Sequence, residues 1–115
     1  MSIESQIAAV EIWAGCPLPP AYVDFLARIG GEFFRDCVLI YSADSIIERN
    51  ETFQTKVYCP GYLAIGDDSG GRAIVIPLDA ANSTVFSVDH GSMAPEEFEV
   101  VGESLQKWVA DECPA

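Results

Sequence analysis

Basic residues are scarce in this sequence. Its 115 residues hold 6 Lys and Arg against 18 Asp and Glu, a formal net charge of −12. Binding nucleic acid or an anionic membrane needs clustered Lys and Arg at the phosphates, so that class of partner is excluded. The balance suits a basic protein partner or high solubility. Long apolar runs are missing too. None approaches the roughly 18 residues of a membrane span. The start, Met1-Ser2-Ile3-Glu4, has neither a basic region nor a long apolar one. No secretion signal is read there, and a cytoplasmic location is expected. Cys16, Cys37, Cys59 and Cys113 form no C-x-x-C pair. That spacing does not describe a zinc site, and neither metal nor cofactor is expected. In the cytosol the thiols stay reduced, with Cys37 and Cys59 as small core residues.

What is present fits one globular domain over residues 1–115. Half the residues are hydrophobic, which argues against disorder. A chain of this size buries roughly two-thirds of its unfolded surface and needs no disulfide or metal to fold. The central stretch is Pro60-Gly61-Tyr62-Leu63-Ala64-Ile65-Gly66-Asp67-Asp68-Ser69-Gly70-Gly71, followed by Arg72-Ala73-Ile74-Val75-Ile76-Pro77-Leu78. A strand, an acidic glycine-rich loop and a second strand describe a β-hairpin. Glycine supplies positive φ there, and the Asp side chains cap the turn's own amides.

The flanking segments extend this hairpin. Ile3, Ile7, Val10 and Trp13 have helical spacing, with Glu4, Gln6 and Glu11 turned outward and Ser2 as N-cap. Pro19-Pro20 opens a second helix whose stripe is Tyr22, Phe25, Leu26 and Ile29, ended by Gly30-Gly31. Cys37 to Tyr41 reads as a strand. Ser42 is read as the cap of a third helix from Ala43 to Glu51, with Ile46 and Ile47 inward. Asn50 to Tyr58 fits a helix end, a loop or an edge strand. Thr84 to Val88 reads as the next strand, and Asp89-His90-Gly91-Ser92 as its closing turn. Pro95-Glu96-Glu97 begins the last segment. Phe98, Val101, Leu105, Trp108 and Val109 fit one helix face, which Gly102 weakens, so a start only near Val101 is also open. Strands and helices do not alternate regularly, so the class is α+β: an antiparallel meander packed by N-terminal helices and a C-terminal helix.

The candidate chemistry gathers at two turns. Asp67, Asp68, Asp89 and His90 sit at strand ends, and adjoining ends would offer three carboxylates and an imidazole to a divalent cation. A metal-assisted hydrolase is therefore one alternative. Turns favour Asp without any ligand, and neighbouring strand residues point to opposite faces. Asp68-Ser69-Gly70-Gly71 also resembles the nucleophile loop of chymotrypsin-like proteases. That reading is rejected: an extra Asp follows Gly66, Arg72 replaces the proline, the histidine follows the serine, and the chain is too short for two barrels. As a phosphate cradle the loop lacks a lysine and a following helix, and its carboxylates repel the ligand.

Three stretches together resemble the SUKH superfamily, which includes yeast cell-wall-assembly regulators and many bacterial toxin-immunity proteins. Leu18-Pro19-Pro20-Ala21-Tyr22-Val23-Asp24-Phe25-Leu26 with Gly30-Gly31 is similar to its Leu-Pro-x-x-Tyr-x-x-Phe-Leu helix and glycine pair. Tyr62 to Gly71 is similar to its Ile-Gly-Asp-x-x-Gly-Gly hairpin. Val101 to Val109 is similar to its closing helix, with Leu105 in place of the usual Phe. Ile29 stands where Asn often precedes the glycine pair. The resemblance implies a non-catalytic module that binds a protein partner. It implies an immunity protein neutralising a toxin domain of nuclease or deaminase type, or a regulatory scaffold without a toxin partner. Divergent surfaces bind different toxins in such a family, so membership does not name the partner. Composition with this analogy points to Asp67, Asp68, Asp89, Glu96 and Glu97 as the partner-binding acids. Gly30, Gly31, Gly66, Gly70 and Gly71 are assigned to backbone turns.

Overall fold

A computed structural model describes residues 3–29, 33–34, 38–79 and 84–111. Helix α1 runs over Ile3–Ala14 and α2 over Pro20–Ile29. Gly15, at φ +80°, ends α1, its N–H bonded to the Glu11 carbonyl at 2.9 Å. The Glu11 side chain does not face solvent alone: its Oε2 accepts the Leu18 N–H at 2.7 Å and so sets the α1–α2 connection. Tyr22, Phe25 and Leu26 are buried along α2, as their spacing predicts. The Gly30-Gly31 end of this helix and the Ser2 cap lie outside the described residues.

The sheet has six strands, β1 Phe33–Phe34, β2 Val38–Ile40, β3 Tyr62–Asp67, β4 Arg72–Pro77, β5 Val85–Asp89 and β6 Glu99–Gly102. They lie side by side in sequence order, every neighbouring pair antiparallel. This is the α+β meander that the sequence predicts. β3 and β4 form its centre: Leu63, Ala64, Ile65 and Ala73 to Ile76 are all buried. Continuous burial requires cover on both faces, which is why these strands are apolar without alternation.

Two strands depart from the sequence reading. β1 is too short to carry a pattern. β6 occupies residues expected in the last helix, and α5 covers only Leu105–Ala110. Ser104 caps α5 by accepting the Lys107 N–H at 3.1 Å. Gly102 explains the break, because a Cβ there would lie 2.7 Å from the Trp108 Cβ. The chain folds back so that buried Trp108 rests on that bare backbone and reaches Phe25 of α2, with ring centroids 6.4 Å apart.

The segment between β2 and β3 is helical. Ser42 does not cap it: its carbonyl accepts the N–H groups of Ser45 and Ile46, and its hydroxyl bonds Asp44. Helix α3 therefore starts at Ile46 and runs to Phe53. Gln54, at φ 55°, turns the chain into the one-turn helix α4, Thr55–Tyr58. Lys56 of α4 lies 4.2 Å over the Trp13 ring and bonds the Trp13 carbonyl, fixing α4 to α1.

Asn50 on α3 is fully buried and performs a task of the sheet. β2 pairs with β3 at Gly66 and Asp67, and the Tyr41 N–H adds the Ile65 carbonyl. Beyond that point the Asn50 amide takes the place of a strand. Its Nδ2 donates to the Ala64 carbonyl at 2.9 Å, and its Oδ1 accepts the Ala64 N–H at 2.8 Å. Its second donor meets the Ile46 carbonyl at 2.9 Å, and Thr55 Oγ1 donates to Oδ1 at 3.1 Å. Two donors and two acceptors are all satisfied, the condition for burying an amide cheaply.

Candidate functional site

The two acidic turns meet at one end of the sheet. β3 ends at Asp67, β4 begins at Arg72 and β5 ends at Asp89. Asp67 pairs with Ala73, and Arg72 with Asp89. The His90 N–H donates to the Gly71 carbonyl at 2.9 Å, closing the two turns against each other. Glu96 and Glu97 lie on a 3₁₀ turn, Pro95–Glu97, that follows β5 and leads into β6. Glu99, opposite Ser87, continues the acidic rim.

The carboxylates mostly serve the backbone. Asp67 Oδ1 accepts the Ser69 N–H at 2.9 Å, and its Oδ2 accepts the Tyr41 hydroxyl at 2.7 Å. Asp68 Oδ1 accepts two amides, Gly70 at 2.8 Å and Arg72 at 3.0 Å. Asp89 Oδ1 accepts the Gly91 N–H at 2.7 Å. These are the short loops by which Asp organises turns. Glu97 bonds the Ser92 hydroxyl, and Glu96 is exposed.

The glycines divide by function. Gly71 needs its missing side chain for φ, at +103°. Gly70 has an ordinary φ, and a Cβ there would make only a 3.5 Å contact with Asp68. Ser69, at φ 62°, holds the other left-handed position in the loop. Gly66 lies in β3, at the register shift after Ala64, and not in the turn. A Cβ on it would stand 2.4 Å from the Leu39 carbonyl, so its role is the close approach of β2.

Four residues beside these turns were not singled out by the sequence. Tyr41 anchors Asp67. Its hydroxyl is held protonated well beyond the usual tyrosine range, first by burial, then by the Asp67 hydrogen bond and charge, with Arg49 opposing. Phe53 stacks on the His90 ring at 4.6 Å. Arg49 lies 5.6 Å from the Tyr41 ring centre. Arg72 donates to Ser87 Oγ at 3.1 Å and to the Ser87 carbonyl at 3.2 Å, and stands 3.6 Å from Glu99. The Arg72 guanidinium is thus already engaged. Tyr41 and Arg72 carried a signal, being polar groups at the ends of apolar strands.

The arrangement is a structured acidic surface. Among the described residues no three His, Cys, Asp or Glu are grouped to hold a metal ion. No described helix is long and apolar enough to cross a membrane. No curated protein matches the chain. The family model SMI1 / KNR4 (SUKH-1) matches residues 3–111, spanning both acidic turns, the α2 motif and the closing helix. The chain belongs to the SMI1 / KNR4 family (SUKH-1).

Proposed function

We propose that this chain is a non-catalytic immunity protein that binds and neutralises a basic bacterial toxin domain of nuclease or deaminase type. Family membership, in a group that includes toxin-immunity proteins, is the observation that carries the reading. The charge supports it: −12 overall, with Asp67, Asp68, Asp89, Glu96 and Glu97 gathered at one end of the sheet. Such a field attracts the cationic groove by which a nuclease holds its substrate, and it speeds association. Cytoplasmic neutralisation of the toxin is part of the same reading. The carboxylates that cap turns are also fixed in direction, so little side-chain entropy is lost on docking.

The hydrolase alternative finds less support. A catalytic metal needs converging open ligands, whereas Asp67, Asp68 and Asp89 accept N–H groups from their own turns. The His90 ring lies against Phe53.

The test is co-expression with the product of the adjacent open reading frame. Co-purification and loss of that product's toxicity are expected. With the partner in hand, association slows between about 50 and 500 mM salt as the screening length falls from roughly 14 to 4 Å. Neutralising each of the five acids to Asn or Gln ranks their shares. A neighbour that neither co-purifies nor loses toxicity removes the immunity reading, and a salt-independent association rate removes steering.

A further inference from the structure

Among the described residues β6 is the last strand of the sheet, with β5 on its inner side only. Between β6 and α5 lies a groove of ≈ 270 Å³ lined by Val100, Val101, Gly102, Glu103, Lys107 and Asp111. An open edge presents unpaired amides and carbonyls to any extended chain. Val100, in the middle of this edge, is 61% exposed. It stands opposite Phe86, and directly opposed residues share a sheet face. Phe86 and Phe98 lie 5.4 Å apart on that side, and Tyr62 meets Phe98 edge-on at 4.9 Å. Val100 is therefore the uncovered end of an apolar ledge.

Charge selects the occupant. Glu96, Glu97 and Glu99 precede or open the strand, and Glu103 and Asp111 follow it. Arg72 and Lys107 are the bases beside them, and they stand within 3.6 Å of Glu99 and 3.5 Å of Glu103. A second copy paired antiparallel along β6 would bring Glu99 of one chain toward Glu103 of the other. Like charges facing across strands are destabilising. A basic segment meets the reverse.

We propose that β6 receives an extended basic segment of a protein partner by strand addition. The segment's backbone pairs with the outward groups of Glu99–Gly102, and an apolar side chain covers Val100. This deepens the partner-binding reading above and rests on it for the partner's existence. The acids at the sheet end attract, and the adjoining edge supplies directional hydrogen bonds.

A blocked heptapeptide alternating lysine and valine is the probe, titrated into the full chain at about 20 mM salt, where charge screening is weak. Binding with a dissociation constant below about 1 mM is expected. Amide exchange slows within Glu99–Gly102, and a glutamate–valine peptide of the same length fails to bind. Val100→Lys weakens the lysine peptide at least about tenfold, because a like charge then stands in its path. Its melting temperature is unchanged, since the side chain is exposed. The double variant Glu99→Gln with Glu103→Gln weakens binding without altering the edge.

No binding, protection elsewhere, equal binding of the acidic peptide, or undiminished binding by Val100→Lys overturns the proposal. So does a dimer in sedimentation that Val100→Lys dissolves, because the edge then belongs to a second copy. The two readings fail separately. A toxin that binds wild type and Val100→Lys equally refutes the edge and leaves the immunity reading intact. A neighbouring product that does not bind at all refutes the immunity reading, while the peptide still judges the edge.

Discussion

Replacing Asn50 tests how the sheet ends where β2 stops short. Asn50→Ala removes four hydrogen bonds, to Ala64 N–H, Ala64 C=O, Ile46 C=O and Thr55 Oγ1. Each bond contributes about 1 kcal/mol net. The larger cost lies in the partners left behind. The Ala64 N–H and C=O are buried, and an unpaired buried group costs about 1–3 kcal/mol. Loss of roughly 3–5 kcal/mol is therefore expected, a large part of an ordinary domain's stability. Asn50→Asp sharpens the test because it preserves shape. It replaces the two donors by an oxygen facing two carbonyls. Its carboxyl pKa rises in the folded state, so its penalty is smallest below about 3.9, the unfolded value, and grows as pH rises. Urea unfolding followed by tryptophan fluorescence gives the free energies, and hydrogen exchange at Ala64 reports the local bond. A cost below about 1 kcal/mol for Asn50→Ala with Ala64 still protected refutes the reasoning, since water would then be replacing the amide.

Gly71→Ala should cost about 1 kcal/mol or more because of its positive φ, whereas Gly70→Ala should be close to neutral; equal melting shifts in the two variants refute the distinction. The Tyr22 hydroxyl is buried with no hydrogen-bond partner among the described residues. Tyr22→Phe is therefore predicted to leave stability unchanged or raise it by about 1 kcal/mol, and a clear loss in chemical denaturation means a missed partner. Burial pushes the Cys59 thiol up to about 11 from 9.0. Its contribution to stability is present below pH 9 and is lost as pH rises toward 11, so unfolding experiments with Cys59→Ala should show a weaker alkaline decline. Cys16 and Cys59 are free thiols; denatured, unreduced protein should titrate with four thiols in all, and two would reveal a disulfide.

The elements with strong periodicity were legible. Tyr22, Phe25 and Leu26 specify α2, and the glycine-rich loop specifies the β3–β4 hairpin. The last segment misled because Phe98, Val101, Leu105 and Trp108 satisfy a helical period although the chain reverses at Gly102. In the sequence that glycine looks like a weak helix residue; in the fold its small size admits Trp108. Gln54 turns the chain at positive φ without a glycine to announce it. The meeting of Asp67 and Asp89 depends on the register Arg72 with Asp89, which no local pattern encodes. Asn50 carried a usable signal: it lies one helical turn after inward-facing Ile46, where a polar side chain must find partners.

The sequential order of the strands has a consequence for how the chain acquires its structure. Each strand pairs with the one before it; the β3–β4 pairing closes a short stretch of chain, whereas the β2–β3 pairing spans α3 and α4. Loop closure costs least entropy at the β3–β4 pairing. The β3–β4 hairpin is the natural nucleus, being joined by the four-residue loop 68–71 with its own Asp-capped turn. The link from Lys56 to Trp13 spans 43 residues and the Asn50–Ala64 bonds span 14. Contacts of that reach are expected to form after the hairpin, so changes there should act mainly by accelerating unfolding.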